Sequence, residues 1–406
     1  MLIILAWRNL WRKKRRTFIT ISSVMFAAFL AIALMSMMDG MRDQMVSSII
    51  SSTTGYIQIQ DALYHDEPIL DHTMELTDEI SDLVSQFSDR IAFTVPRING
   101  FCLGSKDMGS RGVYVTGILP EKEEKMNALS SRVTEGRMFS AEDDYAVIAA
   151  GLARQLDLAL GDTLVLLGQG FQGATAAGTY QVGGIIEFLM PEQNNTMVYL
   201  PLKEAQLFFG APDRLNSLII MVDSESDTEG LAADLANRLD PEWHAVKTWE
   251  ELLPDQVAAF EARDAQVRLM AWILYVVVGF GILGTIITMM HERLREFGIL
   301  LSIGLKRTQL AMICMLETIM ISFLGVLAGI GLGFMATSWF KHHPIQLEGA
   351  FAEVFIELNV EPIYKFSNAP DIFIYQGTTI FIIALVVGIY PIRKILRLDM
   401  INAARK

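Results

Sequence analysis

Residues able to do chemistry are scattered along this chain, and each spacing that would turn them into a catalytic or nucleotide-binding site is broken. His291-Glu292 opens the pattern H-E-x-x-H, which sets two zinc-binding histidines one helical turn apart, but the fifth position is Arg295, a cation that cannot ligate zinc. Ser110 sits like the nucleophile of G-x-S-x-G, except that Met108 stands at the first glycine. No Gly-Lys pair occurs, so the phosphate-cradling G-x-x-x-x-G-K-[ST] loop is missing and no ATP site is expected in this chain. His342-His343 and Glu142-Asp143-Asp144 are conceivable cation ligands that read more simply as hydrated surface groups, and Asn194-Asn195-Thr196 is a formal glycosylation triplet of little weight. The expectation is a protein that is not an enzyme and holds no metal.

The elements around these residues are apolar. The chain is 52% hydrophobic and 19% charged, outside the usual balance of a soluble domain. Four runs reach the roughly 20 residues that cross a hydrocarbon core: Thr17 to Met38, Leu269 to Met290, Ala311 to Phe340 and Ile372 to Ile392. The first is too long for a signal-peptide core and lacks a small-x-small cleavage site, so it is expected to stay. Residues 1–16, 291–308 and 393–406 together hold 15 of the 33 basic residues, whereas 42–266 carries a net charge of about −20. Because basic residues beside spans stay in the cytoplasm, both termini and 291–308 are expected inside, in a bacterial inner membrane, with 42–266 and 341–371 outside. The basic inner face suits anionic lipid headgroups, and without a basic patch elsewhere no nucleic-acid partner is expected. Cys102 and Cys314 fall on different sides of this plan, so no disulfide is expected.

The expected fold is an integral-membrane bundle of four helices with a large α+β domain inserted between the first and second. Its segments are a basic N-terminus (1–16), a first span running into a stalk (17–41), the outer domain with its stalk helices (42–266), the second span (267–290), a cytoplasmic segment (291–308), the third span (309–340), a loop (341–371), the fourth span (372–392) and a C-terminus (393–406). In the outer domain, Ile57 and Ile59 alternate with polar residues as in a half-buried strand, and Leu76, Ile80, Leu83, Val84 and Phe87 repeat with a helical period. Strands are expected at RINGFCLGS, RGVYVTGILP, TLVLLG, GTYQVGGIIEFL and LNSLIIMVDSE, a helix at LAADLANRL, and a loop or hairpin tip at Gly170 to Gly178.

Several residues inside the spans invite a role. Glu317 is a carboxylate within an apolar run, which is costly there and turns toward protein or water; it reads either as a gating contact or as a hydrogen-bonded packing residue. Gly325, Gly329 and Gly333 share one helix face and allow a neighbouring backbone close, within the chain or across a dimer. Met25, Met35, Met37, Met38, Met41 and Met45 could line a path for a lipid chain or simply face lipid. In the 291–308 segment, Glu292, Arg293, Arg295, Glu296, Lys306 and Arg307 can keep it in water or against a partner. Leu294, Phe297, Leu301 and Leu305 would then form one apolar docking face, and Gly298 and Gly304 permit close approach or a turn.

This segment also carries a family resemblance. HERLREFGILLSIGLKRTQL resembles the E-R-x-x-E-I-G…G segment of FtsX-like permeases, with Glu292, Arg293, Glu296, Phe297, Gly298 and Gly304 at matching positions, followed by Glu317 and a glycine-rich helix. LAWRNLWRKKRR resembles the family's R-N-L-x-R start, and YPIRKILRLDMINAARK its closing motif, with Pro391, Ala403 and Ala404 near register. VTEGRMFSAEDDYAVIAAGLARQLDLALGDTL is similar to the periplasmic core of macrolide-exporter-type permeases, and MSMMDGMRDQM to the start of the outer domain in the LolC and LolE subunits of lipoprotein-releasing transporters. Where such subunits carry a proline-containing hook, this chain has GQGFQGATAAGTYQ.

The resemblance implies a permease subunit of a mechanotransmission ABC transporter. Its implied partners are a LolD-like cytoplasmic ATPase that binds ATP and Mg, a second permease subunit, membrane lipid and a periplasmic lipoprotein chaperone. It further implies that Glu292, Arg293, Arg295, Glu296, Phe297, Gly298, Leu301, Gly304 and Lys306 couple to the ATPase. The implied work is extraction of lipoproteins from the outer leaflet, with small-molecule efflux or control of a cell-wall hydrolase as alternatives.

Overall fold

A computed structural model describes residues 2–12, 14–357 and 362–396; Ala403 and Ala404 of the closing motif lie outside them. The chain divides into two units, one made of 1–43, 260–347 and 363–406 and the other of 44–259 and 348–362.

Among the described residues, four helices are long and apolar enough to cross a membrane. A short helix α1 (Leu2–Arg12) precedes α2 (Lys14–Ile49), and α3 (Pro254–Ser302), α4 (Arg307–His342) and α5 (Pro370–Leu396) follow. The expected stalks exist as helix: α2 runs on past its apolar stretch and closes in a π-helical turn at Ile50–Thr54, and α3 begins at Pro254, well before its own. Helix α4 is the most enclosed of the four, packed on α5, while much of α3 is open on its sides.

Small residues make that packing tight. A Cβ on Gly325 would lie 2.7 Å from Val24, on Gly329 2.6 Å from Ala28, and on Gly333 2.8 Å from Ile32. The glycine face of α4 is therefore covered by α2 of the same chain. In the core where α2, α3, α4 and α5 meet lie Val24, Ala28, Ala31, Ile282, Ile286, Val326, Ile380 and Ala384. Between lipid-length helices, such close packing and a few hydrogen bonds replace the hydrophobic effect. One such bond joins Tyr275 Oη to Gln376 Oε1 at 2.6 Å. Gly40 on α2 likewise admits the Lys365 carbonyl, only 2.4 Å from where its Cβ would stand.

The second unit is α+β, and among the described residues it forms a ten-stranded mixed sheet. The strands are β1 (Ile57–Asp61), β2 (Ile91–Lys106), β3 (Gly109–Ile118), β4 (Val133–Gly136), β5 (Ala146–Ala149), β6 (Thr163–Gln169), β7 (Thr175–Ile186), β8 (Met197–Pro201), β9 (Ser217–Val222) and β10 (His244–Thr248). Their order is β10-β1-β9-β2-β3-β8-β5-β7-β4, with β6 paired to β2 and β7. Two cores result. Ile57, Ile59, Leu218 and Ile220 pack on helices 78–86 and 228–236, and Ile98, Val113, Val115, Ile148, Leu164 and Phe209 form the larger one. The 16-residue β2 serves both, with Ile91 in the first and Ile98 and Cys102 in the second. The glycine-rich stretch after Gln169 is the tip of the β6–β7 hairpin, as expected.

Strand β1 departs from the half-buried reading. It is central, between β9 and β10, and its polar face is covered as well: Gln58 donates to the Thr54 carbonyl at 2.8 Å and Gln60 to Gln58 at 2.6 Å. Beside it, Arg97 and Glu123 form a buried ion pair, and Arg97 Nη1 donates to the Thr53 carbonyl at 2.9 Å. The closing turn of the first long helix is thereby fastened to β2.

Replacing Gly329 with Leu should cost about 1–3 kcal/mol through overpacking against α2, whereas Gly331→Ala, whose Cβ meets nothing within 4 Å, should be neutral or stabilising. Thermal unfolding in detergent compares the two, and equal losses would refute the α2–α4 contact.

Candidate functional site

The 291–308 segment is not a separate loop. Helix α3 continues through it to Ser302, so the charges of the E-R-x-x-E motif decorate the last turns of a membrane helix. The turn that ends it is set by Gly304, whose φ of 102° lies in the region that favours glycine. Leu305 N–H donates to the Leu300 carbonyl at 3.2 Å and Gly304 N–H to Leu301 at 3.1 Å, the paired bonds of a Schellman end. Lys306 then precedes α4, with the Gln309 side chain accepting from its N–H at 3.2 Å.

This reversal folds the end of α3 back on α4 and corrects the expected docking face. Phe297 and Leu301 are buried with Met290, Leu310, Ala311, Cys314 and Ile395, and Leu294 and Leu305 pack against the same cluster. Their helical spacing is real, but the partner is the chain's own α4 and α5. Gly298 is also buried within the helix, where its carbonyl accepts from Ser302 at 2.8 Å.

Arg293 departs from its reading as a solvent-held charge in the same way. Its side chain is 9% exposed and ion-paired with Glu317, which is 1% exposed. Sequence separation hid this contact, which joins the E-R motif on α3 to the carboxylate on α4. A carboxylate and a guanidinium buried together each escape the cost of standing alone in a low-dielectric setting. The pair borders a cavity of about 10 Å³ lined by Met289, Met290, Phe297, Cys314, Thr318 and Pro391. Arg293 Nε and Glu317 Oε1 make no further hydrogen bond to described residues.

Around this buried centre the motif's outer charges form lighter contacts. Glu296 accepts from Arg12 of α1 at 3.0 Å, and His291 lies 3.1 Å from Lys394 of α5. Glu292 and Lys306 are exposed; the Arg295 side chain lies outside the described residues. What remains open on this end of α3 is Ile299 at 52% exposure, Leu300 at 38% and Ile303 at 78%. These three form an exposed apolar face, and sequence reasoning passed over them because they fall between the positions that the helical period marked as apolar.

The methionines do not share one side. At about 100° per residue, Met37, Met38, Met41 and Met45 fall within roughly one third of the circumference of α2 while Met25 and Met35 point elsewhere. Met41 and Met45 are buried, and the other four are half-buried. A lining of all six is not built.

A second exposed apolar surface lies on the sheet. Phe101, Leu103, Tyr114, Val165 and Leu167 are exposed on the neighbouring strands β2, β3 and β6, with Phe101 opposite Tyr114 and Leu103 opposite Leu167. The alternation in FCLGS carried that signal, since Phe101 and Leu103 flank the buried Cys102. Burial pushes the Cys102 thiol up to about 12, so it stays protonated and inert.

Comparison with known proteins matches two families to successive parts of the chain. Residues 17–238 match the MacB-like periplasmic core domain, and residues 268–400 match the FtsX-like permease C-terminal family. The uncharacterised ABC transporter permease YknZ of Bacillus subtilis is 23% identical over 52% of this chain and 54% of its own, so the match spans about half of that relative. The lipoprotein-releasing system transmembrane protein LolC of Neisseria meningitidis is 21% identical over 81% of both chains. The macrolide export ATP-binding/permease protein MacB of Bradyrhizobium diazoefficiens is 29% identical over 34% of this chain and 21% of its own.

Removing either partner of the buried pair, as in Glu317→Leu or Arg293→Leu, should destabilise the first unit by about 3–5 kcal/mol, and the double variant should recover most of it. Detergent melts of the four proteins measure the coupling. A double variant no better than the worse single one would deny that the two charges act as a pair.

Proposed function

The chain belongs to the MacB-type, FtsX-like ABC transporter permease family, and from that premise we propose that it is driven by a separate cytoplasmic ATPase seated on the α3–α4 turn. The observation that carries this reading is the composition of that turn. Ile299, Leu300 and Ile303 are exposed beside Glu292 and Lys306, on a helix end whose other face is held to α4 by Phe297, Leu301 and the Arg293–Glu317 pair. An exposed apolar knob on a rigid support, with charges at its rim, is what a docking contact needs. The ATP and Mg of the cycle belong to the partner, and both termini of this chain lie on the partner's side of a bacterial inner membrane.

Motion would travel by mechanotransmission. The partner shifts the α3–α4 turn, and α3, a single helix of 49 residues, carries the displacement toward the periplasmic domain. There the closing turn of the first long helix is tied to β2 through Arg97. The cargo we propose is lipidated protein taken from the outer leaflet, without passage across the bilayer. Two features support it: a LolC-type relative aligns along four fifths of the chain, and the apolar strip of Phe101, Leu103 and Leu167 offers a surface that an acyl chain or a lipoprotein chaperone could cover. A second permease subunit completes the assembly. Efflux of a small molecule is the alternative favoured by the match to MacB.

Ile303→Asp and Ile299→Asp should each reduce stimulation of the ATPase about tenfold or more in proteoliposomes, as loss of an interface anchor does, while Lys306→Ala at the rim should change it little. Full stimulation by both aspartate variants would remove the docking site. Depletion of the chain should leave lipoproteins in the inner membrane; normal sorting with a new macrolide sensitivity would transfer the reading to efflux.

A further inference from the structure

Helix α1 has three distinct sides. Ala6 and Leu10 are fully enclosed, and the helix packs against α4. About a third of a turn away, Ile4, Trp7 and Trp11 are 65%, 45% and 53% exposed, with the two indoles edge to face at 5.8 Å between ring centroids. Next along the circumference come Arg8 and Arg12, both exposed. Lys14 and Arg15 follow, exposed as well, and no acidic residue occurs in 1–16. The Thr17 hydroxyl donates to the Leu10 carbonyl at 2.7 Å, fastening α1 to the start of α2, where Phe18 and Ile19 open the apolar surface of the first span.

We infer that the open side of α1 is a docking surface for anionic phospholipid headgroups, and that a headgroup phosphate competes with Glu296 for Arg12. Indole rings beside arginines suit the boundary between hydrocarbon and headgroup, where the ring enters the apolar layer and the guanidinium meets phosphate. A soluble protein partner would not require an apolar side continuous with the first span. Arg12 is the shared group. Its bond to Glu296 is a single contact at 3.0 Å, and its side chain is 63% exposed, so the pair is weak and a phosphate can take the guanidinium through two parallel bonds. When it does, Glu296 loses its bond to Arg12 of α1, and one of the charged contacts at the end of α3 is withdrawn, the Arg293–Glu317 pair and the His291–Lys394 contact being others. The lipid surface would in this way set how firmly the docking turn is held. That consequence rests on the proposed role of the α3–α4 turn; the headgroup surface itself does not.

The test reconstitutes the full chain in phosphatidylcholine vesicles containing brominated phosphatidylglycerol or, at equal fraction, brominated phosphatidylcholine. The quenching due to Trp7 and Trp11 is obtained by difference from the variant Trp7→Phe/Trp11→Phe. Stronger quenching by the anionic lipid is expected. Arg8→Gln and Arg12→Gln should each lower the preference about fivefold, and Glu296→Gln should raise it by leaving Arg12 to the lipid. Equal quenching by both lipids, or an anionic preference indifferent to Arg12 and Glu296, overturns the inference. Because this readout needs no ATPase, full ATPase stimulation by the Ile299→Asp and Ile303→Asp variants with the lipid preference intact would defeat the docking-turn reading and leave the headgroup surface standing.

Discussion

The buried pair of Arg293 and Glu317 is the constraint on which the first unit depends. Each group alone would be an uncompensated charge in an apolar surrounding, and together they require the end of α3 to lie against α4. Once that approach is made, Phe297 and Leu301 must pack on Leu310 and Cys314, and the chain must reverse within a few residues. Gly304 satisfies that demand because only a residue without a Cβ turns there without strain. The exposure of Ile299, Leu300 and Ile303 follows as the remainder: they are the apolar residues of this helix end that the packing of Phe297 and Leu301 leaves uncovered.

The same logic of close approach runs along α4. Its glycine face accepts α2 so tightly that added side chains would collide with Val24, Ala28 and Ile32. Tyr275 and Gln376 join α3 to α5 by a hydrogen bond. In the second unit the equivalent device is Arg97, which neutralises Glu123 and holds the Thr53 carbonyl. The closing helical turn is in this way held to a strand by a charged group that is itself almost wholly buried.

Much of this plan is legible in the residues. Runs of about 20 apolar residues read as membrane-length helices, since a helix pairs its backbone groups within one segment and a transmembrane strand needs only about half that length. Alternation at Ile57 and Ile59 and the period of Ile80 and Leu83 marked a strand and a helix that both exist. The coverage of Gln58 and Gln60 was not legible, because a polar residue facing solvent and one bonded to a neighbouring backbone look alike in one dimension. Strands such as Ala146–Ala149 and Met197–Pro201 also escaped, being short and enclosed on every side, with no polar alternation to announce them.

The candidate site divides along the same line. The sequence by itself determined that 291–308 is charged between two apolar runs, that its apolar residues keep a helical period and that Glu317 is stranded in a span. Local pattern is enough for each, because each depends only on neighbours along the chain. Only the tertiary structure decided that Arg293 is the partner of Glu317, that Phe297 and Leu301 are spent within the chain, and that α1 lends Arg12 to Glu296. Those outcomes depend on groups 24 and 284 residues apart being brought into contact, and the free energy of a charge is set by what surrounds it in space.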